Sequence, residues 1–186
     1  MKVAVDIDEV VVEYLRGFCD FYNKDKDKKL KYEDFKFFSF EKVLGISERE
    51  SDEVHREYTE SKYFENIGLV DRAAWGVNKL AEDNDLVFIT ARPIRDREKT
   101  IDFLKKTFPE HSFDVYFEGV DKHVKCKELG VGVLIEDGFT SQRYAEKGVN
   151  IILLDKKWNK DCLHENIYRC FNWEEIVERV REVNDG

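Results

Sequence analysis

The stretch MKVAVDIDEV at residues 1–10 decides the fold, because it joins a short apolar run directly to a pair of acids. Val3, Ala4 and Val5 are typical of a strand that is buried on both faces of a sheet. Asp6 and Asp8 follow at once, which places two carboxylates where that strand ends. A strand of this kind predicts a sheet that is covered by helices on both sides.

Further apolar runs of the same kind follow along the chain. They are Leu86–Ile89, Val115–Phe117, Val133–Ile135 and Ile151–Leu154. Between them, apolar residues recur at helical spacing, first from Val70 to Ala81 and then from Ile94 to Phe108. A last helix is expected after Asn172, with Glu175 three residues on as in a capping box. The alternation predicts an α/β fold with a doubly wound, Rossmann-like parallel sheet of about five strands.

The alternation is interrupted once, because about sixty residues are inserted between the first strand and the helical pattern at Val70 that leads to the second strand. This segment begins with an amphipathic helical pattern from Val11 to Tyr22 and continues through the polar stretch Lys24–Lys31. An aromatic run follows at Phe35–Phe40, and Ser47 is a good N-cap for a second helix. We therefore expect an α/β core at residues 1–12 and 70–186, with a small helical cap inserted at 13–69.

Composition excludes several classes of protein. The 186 residues carry a net charge of −9, so there is no basic surface for a nucleic-acid polymer or an anionic membrane. No window approaches the roughly 18 apolar residues of a membrane span. The four scattered cysteines are typical of reduced thiols. Cys162, His164 and Cys170 lie close in sequence and could bind zinc, but their spacing matches no common zinc site, so we interpret them as structural residues. We expect a cytoplasmic protein, either a monomer or a homodimer.

Ligands of a doubly wound sheet bind outside the carboxyl ends of its strands. In this chain the residues at those positions are unusually polar. They are Asp6 and Asp8 after the first strand, Thr90-Ala91-Arg92-Pro93 after the second, Glu136-Asp137 after the fourth, and Lys122 at the start of the helix that leads into the fourth. Acids gathered at one edge repel one another unless a cation joins them, and oxygen ligands suit Mg²⁺. The pattern therefore predicts a magnesium site.

The same residues could carry out chemistry on a phosphate group. With a cation in place a carboxylate can attack phosphorus, while Lys122 and the Thr90 hydroxyl stabilise the transferring group. Each residue taken alone has an ordinary interpretation, since an acid after a strand is often a turn or N-cap residue and Lys122 could lie in solvent. Their common position after hydrophobic runs favours the catalytic interpretation.

Taken together, these motifs resemble those of the haloacid dehalogenase (HAD) phosphohydrolases over essentially the whole chain. The four motifs of that superfamily are matched, in order, by Asp6-Ile7-Asp8-Glu9-Val10, Thr90, Lys122 and Glu136-Asp137. The resemblance implies an aspartyl-phosphate mechanism, in which Asp6 is the nucleophile and Asp8 the general acid and base. It also implies that Mg²⁺ binds the Asp8 carbonyl, the Asp6 carboxylate and an acid of the fourth motif.

Within the superfamily, the chain resembles the 5′(3′)-deoxyribonucleotidase branch, which implies a nucleoside monophosphate as substrate. The features shared with that branch are the Asp-x-Asp-x-Val start, the Thr-Ala-Arg-Pro turn, the Ile-Glu-Asp-Gly site, Trp158-Asn159 and the terminal Asn172-Trp173-Glu174-Glu175-Ile176. Tyr14 matches an aromatic that faces the base in that branch, and Phe38 in the run Phe35–Phe40 could add stacking surface. Alternatively, both form the core of the cap. Beside Ala91, Arg92 could bind a phosphate or ribose oxygen, or pair with a nearby carboxylate.

The chain departs from the superfamily pattern at particular positions. Glu9 stands where a glycine is usual, so the loop could be bulkier or bring another acid near the metal. Glu136 stands where Asp is usual, and we expect Asp137 to be the direct metal ligand, with Glu136 outside it. Lys122 fits the expected distance from the fourth motif better than Lys125 does.

Other functions are compatible with parts of this pattern. A phosphatase for sugar phosphates or other small phosphomonoesters would keep the chemistry and change only the cap. A signalling receiver domain would need an Asp after the third strand, where the chain has Glu118-Gly119. A non-catalytic Mg²⁺-binding module is the third alternative, but every residue that the chemistry needs is present.

Overall fold

A computed structural model describes residues 1–26, 29–37, 39–119 and 121–185. Within these residues, six strands form one parallel sheet. They are Lys2–Val5 (β1), Asp85–Thr90 (β2), Asp114–Phe117 (β3), Val133–Glu136 (β4), Ile151–Leu154 (β5) and Ile167–Cys170 (β6). Their order across the sheet is β3-β2-β1-β4-β5-β6, and every neighbouring pair is parallel. The predicted α/β fold with a parallel sheet is confirmed.

The strand count is higher than the expected five, because β6 was not predicted. This strand lies at the edge of the sheet, beside β5, and only Cys170 within it is buried. An edge strand is covered less completely than a central one, so Arg169 and the half-buried Tyr168 break the apolar pattern. The sequence of β6 therefore lacks the continuous apolar run that marks the other strands.

Nine α-helices lie within the described residues. They are Tyr14–Lys26 (α1), Phe40–Leu44 (α2), Glu48–Thr59 (α3), Lys62–Glu65 (α4), Ala73–Ala81 (α5), Arg97–Thr107 (α6), Lys122–Leu129 (α7), Ser141–Glu146 (α8) and Trp173–Asp185 (α9). None of these helices combines the length and apolar character that crossing a bilayer would require. The four cysteines are free thiols, and all of them are buried.

Helices cover both faces of the sheet, as a doubly wound fold requires. Successive strand residues point to opposite faces, so Val3 and Val5 pack into one apolar cluster while Ala4 packs into the other. The first cluster includes Val77 of α5 and Ile176 of α9. The second is built on α7 and α8, whose members include Cys126, Tyr144 and Ala145. β1 and β4 are the two central strands of this sheet.

Hydrogen bonds at helix ends confirm two of the predicted caps. The Ser47 side chain accepts from the amide of Glu50, and the Glu50 carboxylate accepts from the amide of Ser47. At α9, Asn172 Oδ1 accepts from the amide of Glu175 at 2.9 Å. The predicted start of α1 is wrong, because Val11 lies in a turn before the helix and its carbonyl accepts from another segment.

Four helices, α1 to α4, lie between β1 and α5. The residues that enter this segment and those that leave it lie next to each other, because Val12 and Leu69 form an antiparallel bridge. Glu13 N donates to Gly68 O at 2.9 Å beside that bridge. Gly17 of α1 allows a close approach, because a Cβ there would collide with the Tyr58 hydroxyl of α3. These helices pack on one another through aromatic rings.

Candidate active site

A small cavity of about 180 Å³ opens where β1, β2 and β4 end, and we call it the acidic cavity. Its walls bring together most of the residues that the sequence singled out. They include Asp6, Asp8, Ala91, Lys122, Glu136 and Asp137. Parallel strands end at the same edge of the sheet, so residues far apart in sequence meet there.

Asp6 is fixed directly at the end of β1. Its amide donates to the Ile135 carbonyl of β4 at 2.9 Å, which continues the ladder between the two strands. Its Oδ1 accepts from the Ile7 amide at 2.8 Å, and its Oδ2 lies 2.7 Å from Lys122 Nζ. Burial raises the pKa of Asp6 to about 7, with Glu136 and Asp8 adding to the rise and Lys122 opposing it. The carboxylate is thus oriented on both sides, but its charge is only partly compensated.

Lys122 and Glu136 form a buried ion pair behind Asp6. The Lys122 ammonium lies 2.8 Å from Glu136 Oε1, and the residue is only 2% exposed. Burial alone would lower the pKa of Lys122, but Asp6 and Glu136 hold it above its usual range. Lys125 instead pairs with Glu128 and Glu118 away from this site, at 2.6 and 3.5 Å.

Both oxygens of Glu136 are occupied by protein donors. While Oε1 accepts from Lys122, Oε2 accepts from the amides of Asp137 and Gly138, each at 2.6 Å. Burial would raise the pKa of Glu136, but Lys122 and these amides hold it below its usual range. Glu136 is therefore a satisfied carboxylate that holds Lys122 in place.

Asp137 has a different environment. Its Oδ2 accepts from the Trp158 indole at 2.9 Å, and its main-chain carbonyl accepts from the Asn159 side chain at 2.8 Å. No ion pair to its carboxylate is found in the part of the chain that the structure describes. Burial, together with Glu136 and Asp6, raises the pKa of Asp137 well above its usual range.

The donor set fits a hard divalent cation. Oxygen atoms of Asp6, Glu136 and Asp137 lie within 4.8 Å of one another, and all three residues are buried. Lys122 pairs with Asp6 and Glu136 but not with Asp137, so negative charge remains in a buried site unless a cation joins it. Hard oxygen donors are the ligands that Mg²⁺ prefers. Because Glu136 already accepts three hydrogen bonds, the oxygens left to a metal belong mainly to Asp6 and Asp137.

Asp8 is held by Arg92. The guanidinium donates from Nη2 to Asp8 Oδ1 at 2.6 Å and from Nε to Oδ2 at 3.0 Å. Its third nitrogen, Nη1, donates to the Thr100 hydroxyl at 3.1 Å, and the ring of Phe64 lies 4.9 Å from the guanidinium carbon. Arg92 is thus paired with a carboxylate, which was the alternative to direct contact with a phosphate or ribose oxygen.

Thr90 ends β2 and is fully buried. Its hydroxyl accepts from the Arg92 amide at 3.2 Å, which fixes the turn that carries Ala91. Ala91 is exposed, and it lines the acidic cavity together with Asp8. The turn therefore brings a small side chain and the Arg92 guanidinium up to the site from the side of β2.

A second cavity of about 320 Å³ adjoins the first, and we call it the aromatic cavity. Asp8 and Ala91 line both cavities, so the two spaces meet at these residues. The remaining walls come from the turn after Ala91 and from helices α1 to α4. Among the residues that these helices contribute are Tyr14, Phe40, Asp52, His55, Thr59 and Phe64.

Tyr14 lies both in a cavity wall and in the packing of the helices. It lines the aromatic cavity, and its ring also packs edge to face on Tyr58 at 5.1 Å and on Phe64 at 6.3 Å. Phe35 is wholly buried in the same apolar cluster, whereas Phe37 is 64% exposed. Phe38 lies outside the described residues, so its predicted stacking role stays a prediction.

Sequence reasoning gave no role to His55, which lines the aromatic cavity. A signal was available, because the predicted helix after Ser47 places Ser51, His55 and Tyr58 on one face at spacings of four and three. Ser51 and Tyr58 are buried, and His55 is partly so. In this structure the histidine of that stripe lines a cavity.

Within the described residues, Glu9 does not join the cluster of acids that Asp6, Glu136 and Asp137 form. It adopts a left-handed conformation with φ of 59°, and its carboxylate is almost fully buried. Oε1 accepts from the Leu15 amide at the start of α1 at 2.7 Å, while Oε2 faces the Tyr32 hydroxyl at 3.2 Å and Lys156 Nζ at 3.3 Å. Burial raises the pKa of Glu9, and Lys156 opposes that rise. The residue joins the loop after β1 to α1 and to the loop after β5.

Solved structures share this architecture along nearly the whole chain. A hydrolase of the haloacid dehalogenase-like family from Streptococcus pneumoniae superposes with a TM-score of 0.72 at 14% identity, covering 96% of this chain and 97% of the other. A HAD family hydrolase from Deinococcus radiodurans, solved with bound phosphate and sodium, has a TM-score of 0.65 at 14% identity and covers 98% and 96%. The fold is that of the HAD-like hydrolases.

The sequence narrows the class further. Residues 1–183 match the family described as 5′ nucleotidase, deoxy (pyrimidine), cytosolic type C, and the chain belongs to this family. A nucleotidase from Clostridium acetobutylicum is 26% identical over 202 aligned positions that cover 100% of this chain and 98% of that protein. The protein is therefore an enzyme of the HAD superfamily, a phosphatase of the nucleotidase kind, as the resemblance of its motifs predicted.

Proposed function

We propose that the protein is a Mg²⁺-dependent phosphomonoester hydrolase that works through an aspartyl-phosphate intermediate and acts on nucleoside monophosphates. The observation that carries the proposal is the placement of Asp6. Its carboxylate is held between the Ile7 amide and Lys122, at 2.8 and 2.7 Å, and lines the acidic cavity. Asp8 lies two residues on, where the acidic cavity meets the aromatic cavity.

In the first step a carboxylate oxygen of Asp6 attacks phosphorus. The bond between phosphorus and the leaving oxygen breaks, and Asp8 gives its proton to that oxygen. The acidic cavity holds the phosphoryl group, where the Lys122 ammonium stabilises its negative charge. The fully buried Thr90 hydroxyl supports this end of the site by holding the turn at Arg92.

In the second step water attacks the phosphorus of the aspartyl phosphate. Asp8 now accepts a proton from that water, and the bond between Asp6 and phosphorus breaks to release inorganic phosphate. Arg92 fixes the position of the Asp8 carboxylate through hydrogen bonds from Nε and Nη2 and stabilises its charge. We assign Arg92 to positioning Asp8 and Ala91 to the wall beside the phosphoryl group.

The side chains of Asp6 and Asp137 and the carbonyl of Asp8 would hold the metal. When bound, Mg²⁺ neutralises phosphate charge that would otherwise repel an anionic nucleophile. Glu136 acts from outside this set, since its two oxygens are engaged by Lys122 and by the amides of Asp137 and Gly138. Loss of one of these partners would leave a buried charge unpaired, which is costly. The Glu136 contacts therefore keep the Lys122 ammonium directed at Asp6.

The substrate class is supported by the family and by the aromatic cavity. We propose that residues 13–69 form a cap and that the leaving group lies between this cap and the core. The cavity of about 320 Å³ is walled by rings of Tyr14, Phe40 and Phe64, which suit the flat face of a nucleobase. Tyr14 would thus contact the substrate from the cap.

Phosphate release tests the proposal directly. The panel contains 5′- and 3′-(deoxy)nucleoside monophosphates, sugar phosphates and p-nitrophenyl phosphate, each with and without Mg²⁺. We expect Mg²⁺-dependent release with a preference for nucleotides. The variant Asp6→Asn should lose about 10⁴-fold or more in kcat, because an amide cannot form the intermediate. The exposed Asp83→Asn is the matched control and should keep full activity.

The panel separates the parts of the proposal. A preference for sugar phosphates would refute the proposed nucleotide substrate but would leave the aspartyl-phosphate mechanism standing. Full activity in the Asp6→Asn variant would refute the aspartyl-phosphate mechanism. Release that EDTA does not diminish would refute the role of the metal.

A further inference from the structure

His55 occupies a defined position in the wall of the aromatic cavity. Its ring stacks on Tyr14 at a centroid distance of 6.0 Å and an angle of 20°, and it meets Phe40 edge to face at 4.1 Å. Contacts on two sides restrict the rotation of the ring. The cavity that His55 lines also includes Asp8 and Arg92, so the histidine shares a space with the proposed general acid.

One nitrogen of the ring is committed to the protein. His55 Nδ1 lies 2.8 Å from the hydroxyl of Tyr14. Burial raises the pKa of Tyr14 well above its usual range, so the hydroxyl keeps its proton and can donate it in this hydrogen bond. Burial also lowers the pKa of His55, against the effect of Asp52, Asp8 and Glu41 and together with Arg95, which favours the neutral ring. A neutral histidine that accepts at Nδ1 carries its proton on Nε2.

The other nitrogen, Nε2, is left for a ligand of the cavity that His55 lines. Within the described ranges, no protein atom forms a hydrogen bond with His55 Nε2, and Nε2 is not one of the fully buried atoms that lack a partner. The imidazole thus offers an N–H donor in the wall of a cavity that is otherwise lined by aromatic rings, aliphatic carbon, the Asp8–Arg92 ion pair and the charged side chains of Asp52, Arg95 and Asp96. A donor of this kind needs an acceptor when the cavity fills and water leaves.

We propose that His55 is a specificity-determining residue, whose Nε2–H donates a hydrogen bond to a carbonyl oxygen or ring nitrogen of the nucleobase. This proposal rests on the proposed function. The phosphate is excluded as the acceptor, because Lys122 and the acidic cavity hold that group. The flat walls formed by Tyr14 and Phe40 beside His55 suit a planar ring better than a sugar. Tyr14 acts through His55 by fixing which nitrogen carries the proton.

Two substitutions separate the hydrogen bond from the shape of the ring. His55→Phe keeps a flat ring and removes the donor, whereas His55→Gln returns an N–H at about the distance of Nε2 from the main chain. The quantity measured is the ratio of kcat/KM for the preferred nucleotide to kcat/KM for p-nitrophenyl phosphate, whose leaving group has no nucleobase. Arg56→Gln, an exposed neighbour on α3, is the control.

We expect the ratio to fall about 10- to 100-fold in His55→Phe, mainly through KM for the nucleotide. In His55→Gln the ratio should return to within a few-fold of the unchanged protein. Calorimetry with product nucleosides, which needs no catalysis, should show the same loss and return of affinity on the whole chain. A melting curve for each variant shows that it is folded.

An unchanged ratio and unchanged nucleoside affinity in a folded His55→Phe variant would overturn the assignment and leave the nucleotidase function intact. An equal loss for both substrates would also overturn it, because the effect would then lie in the chemistry. If the unchanged protein binds no nucleoside and prefers sugar phosphates, the substrate class fails, and the proposal for His55 fails with it. Nucleoside binding that depends on His55, without hydrolysis of any substrate, would support His55 and refute the proposed function.

Discussion

Charged side chains build the acidic cavity, whereas rings from helices α1 to α4 form much of the aromatic cavity. In the first, Lys122 lies within 2.8 Å of both Asp6 and Glu136, and each partner is fixed by a strand end. In the second, Tyr14 and His55 are positioned by stacking and by one hydrogen bond. The first arrangement fixes charges for a reaction that is the same for every substrate, and the second can change without disturbing it.

The largest effect on activity is expected in the acidic cavity, from Lys122→Met. The change removes the only cation that contacts Asp6 among the described residues, and we expect kcat to fall about 10²- to 10³-fold for every substrate in the panel. Stability should also fall by about 3–5 kcal/mol without metal, because Asp6 and Glu136 lose their partner inside the protein. Steady-state kinetics and urea unfolding measure the two effects.

Lys125→Met is the matched control for this variant. Lys125 lies three residues further along α7 and pairs with the carboxylates of Glu118 and Glu128, outside the acidic cavity. Its replacement should change kcat less than about threefold, since surface pairs contribute little. Equal losses in the two variants would contradict the assignment of Lys122 and, with it, the contrast between the two cavities.

The acidic cavity is also the part of the site that the sequence predicts most directly. Asp6 and Asp137 each follow an apolar run, and the rule that ligands bind at strand ends is enough to bring them together. The same rule does not choose between Lys122 and Lys125. Both lie near the start of one helix, and only the packed structure shows which ammonium points toward Asp6.

The aromatic cavity was harder to predict, because the same residue types serve packing and binding. Tyr14 and Phe40 fill the core of the helical segment and also line the aromatic cavity, so their identity does not separate the two roles. His55 shows no motif with another residue in sequence, and its hydrogen bond joins positions 14 and 55 on different helices. The fold class needed only the strand runs, while the edge strand β6 lacked such a run.

Arg92 lines the aromatic cavity and holds Asp8, which lines both cavities, so Arg92→Lys tests which of the two Arg92 serves. A lysine cannot donate to both Asp8 oxygens and to Thr100 at once, so Asp8 should lose its fixed orientation. We expect kcat to fall about 10- to 100-fold for all substrates, with little change in KM. The exposed Arg97→Lys, in which a cation is kept near Phe117, is the control.

The split between kcat and KM sharpens the comparison. If Arg92→Lys raises KM for nucleotides and leaves kcat unchanged, then Arg92 binds a phosphate or ribose oxygen of the substrate, which is the other alternative that the sequence left open. A loss in kcat that is the same for nucleotides and p-nitrophenyl phosphate places its effect on Asp8.

The smallest effect is expected from Glu9, which touches neither reacting group and links the core to the helical segment. Glu9→Ala removes the acceptor of the Leu15 amide and the partner of Lys156, so we expect a loss of about 2–4 kcal/mol in the free energy of unfolding. Glu9→Gly removes the same contacts but relieves the left-handed backbone, at φ of 59°. It should therefore be more stable than Glu9→Ala by about 1 kcal/mol.

This difference between two variants isolates the backbone term, because both lack the carboxylate. Urea unfolding at equal protein concentration measures it, and kcat for p-nitrophenyl phosphate should differ less than about threefold between them. If Glu9→Ala and Glu9→Gly are equally stable, the backbone at this position carries no strain. The whole loss of stability in both variants would then come from the missing carboxylate, through its contacts with Leu15 and Lys156. The left-handed backbone at Glu9 would add no cost to the native protein.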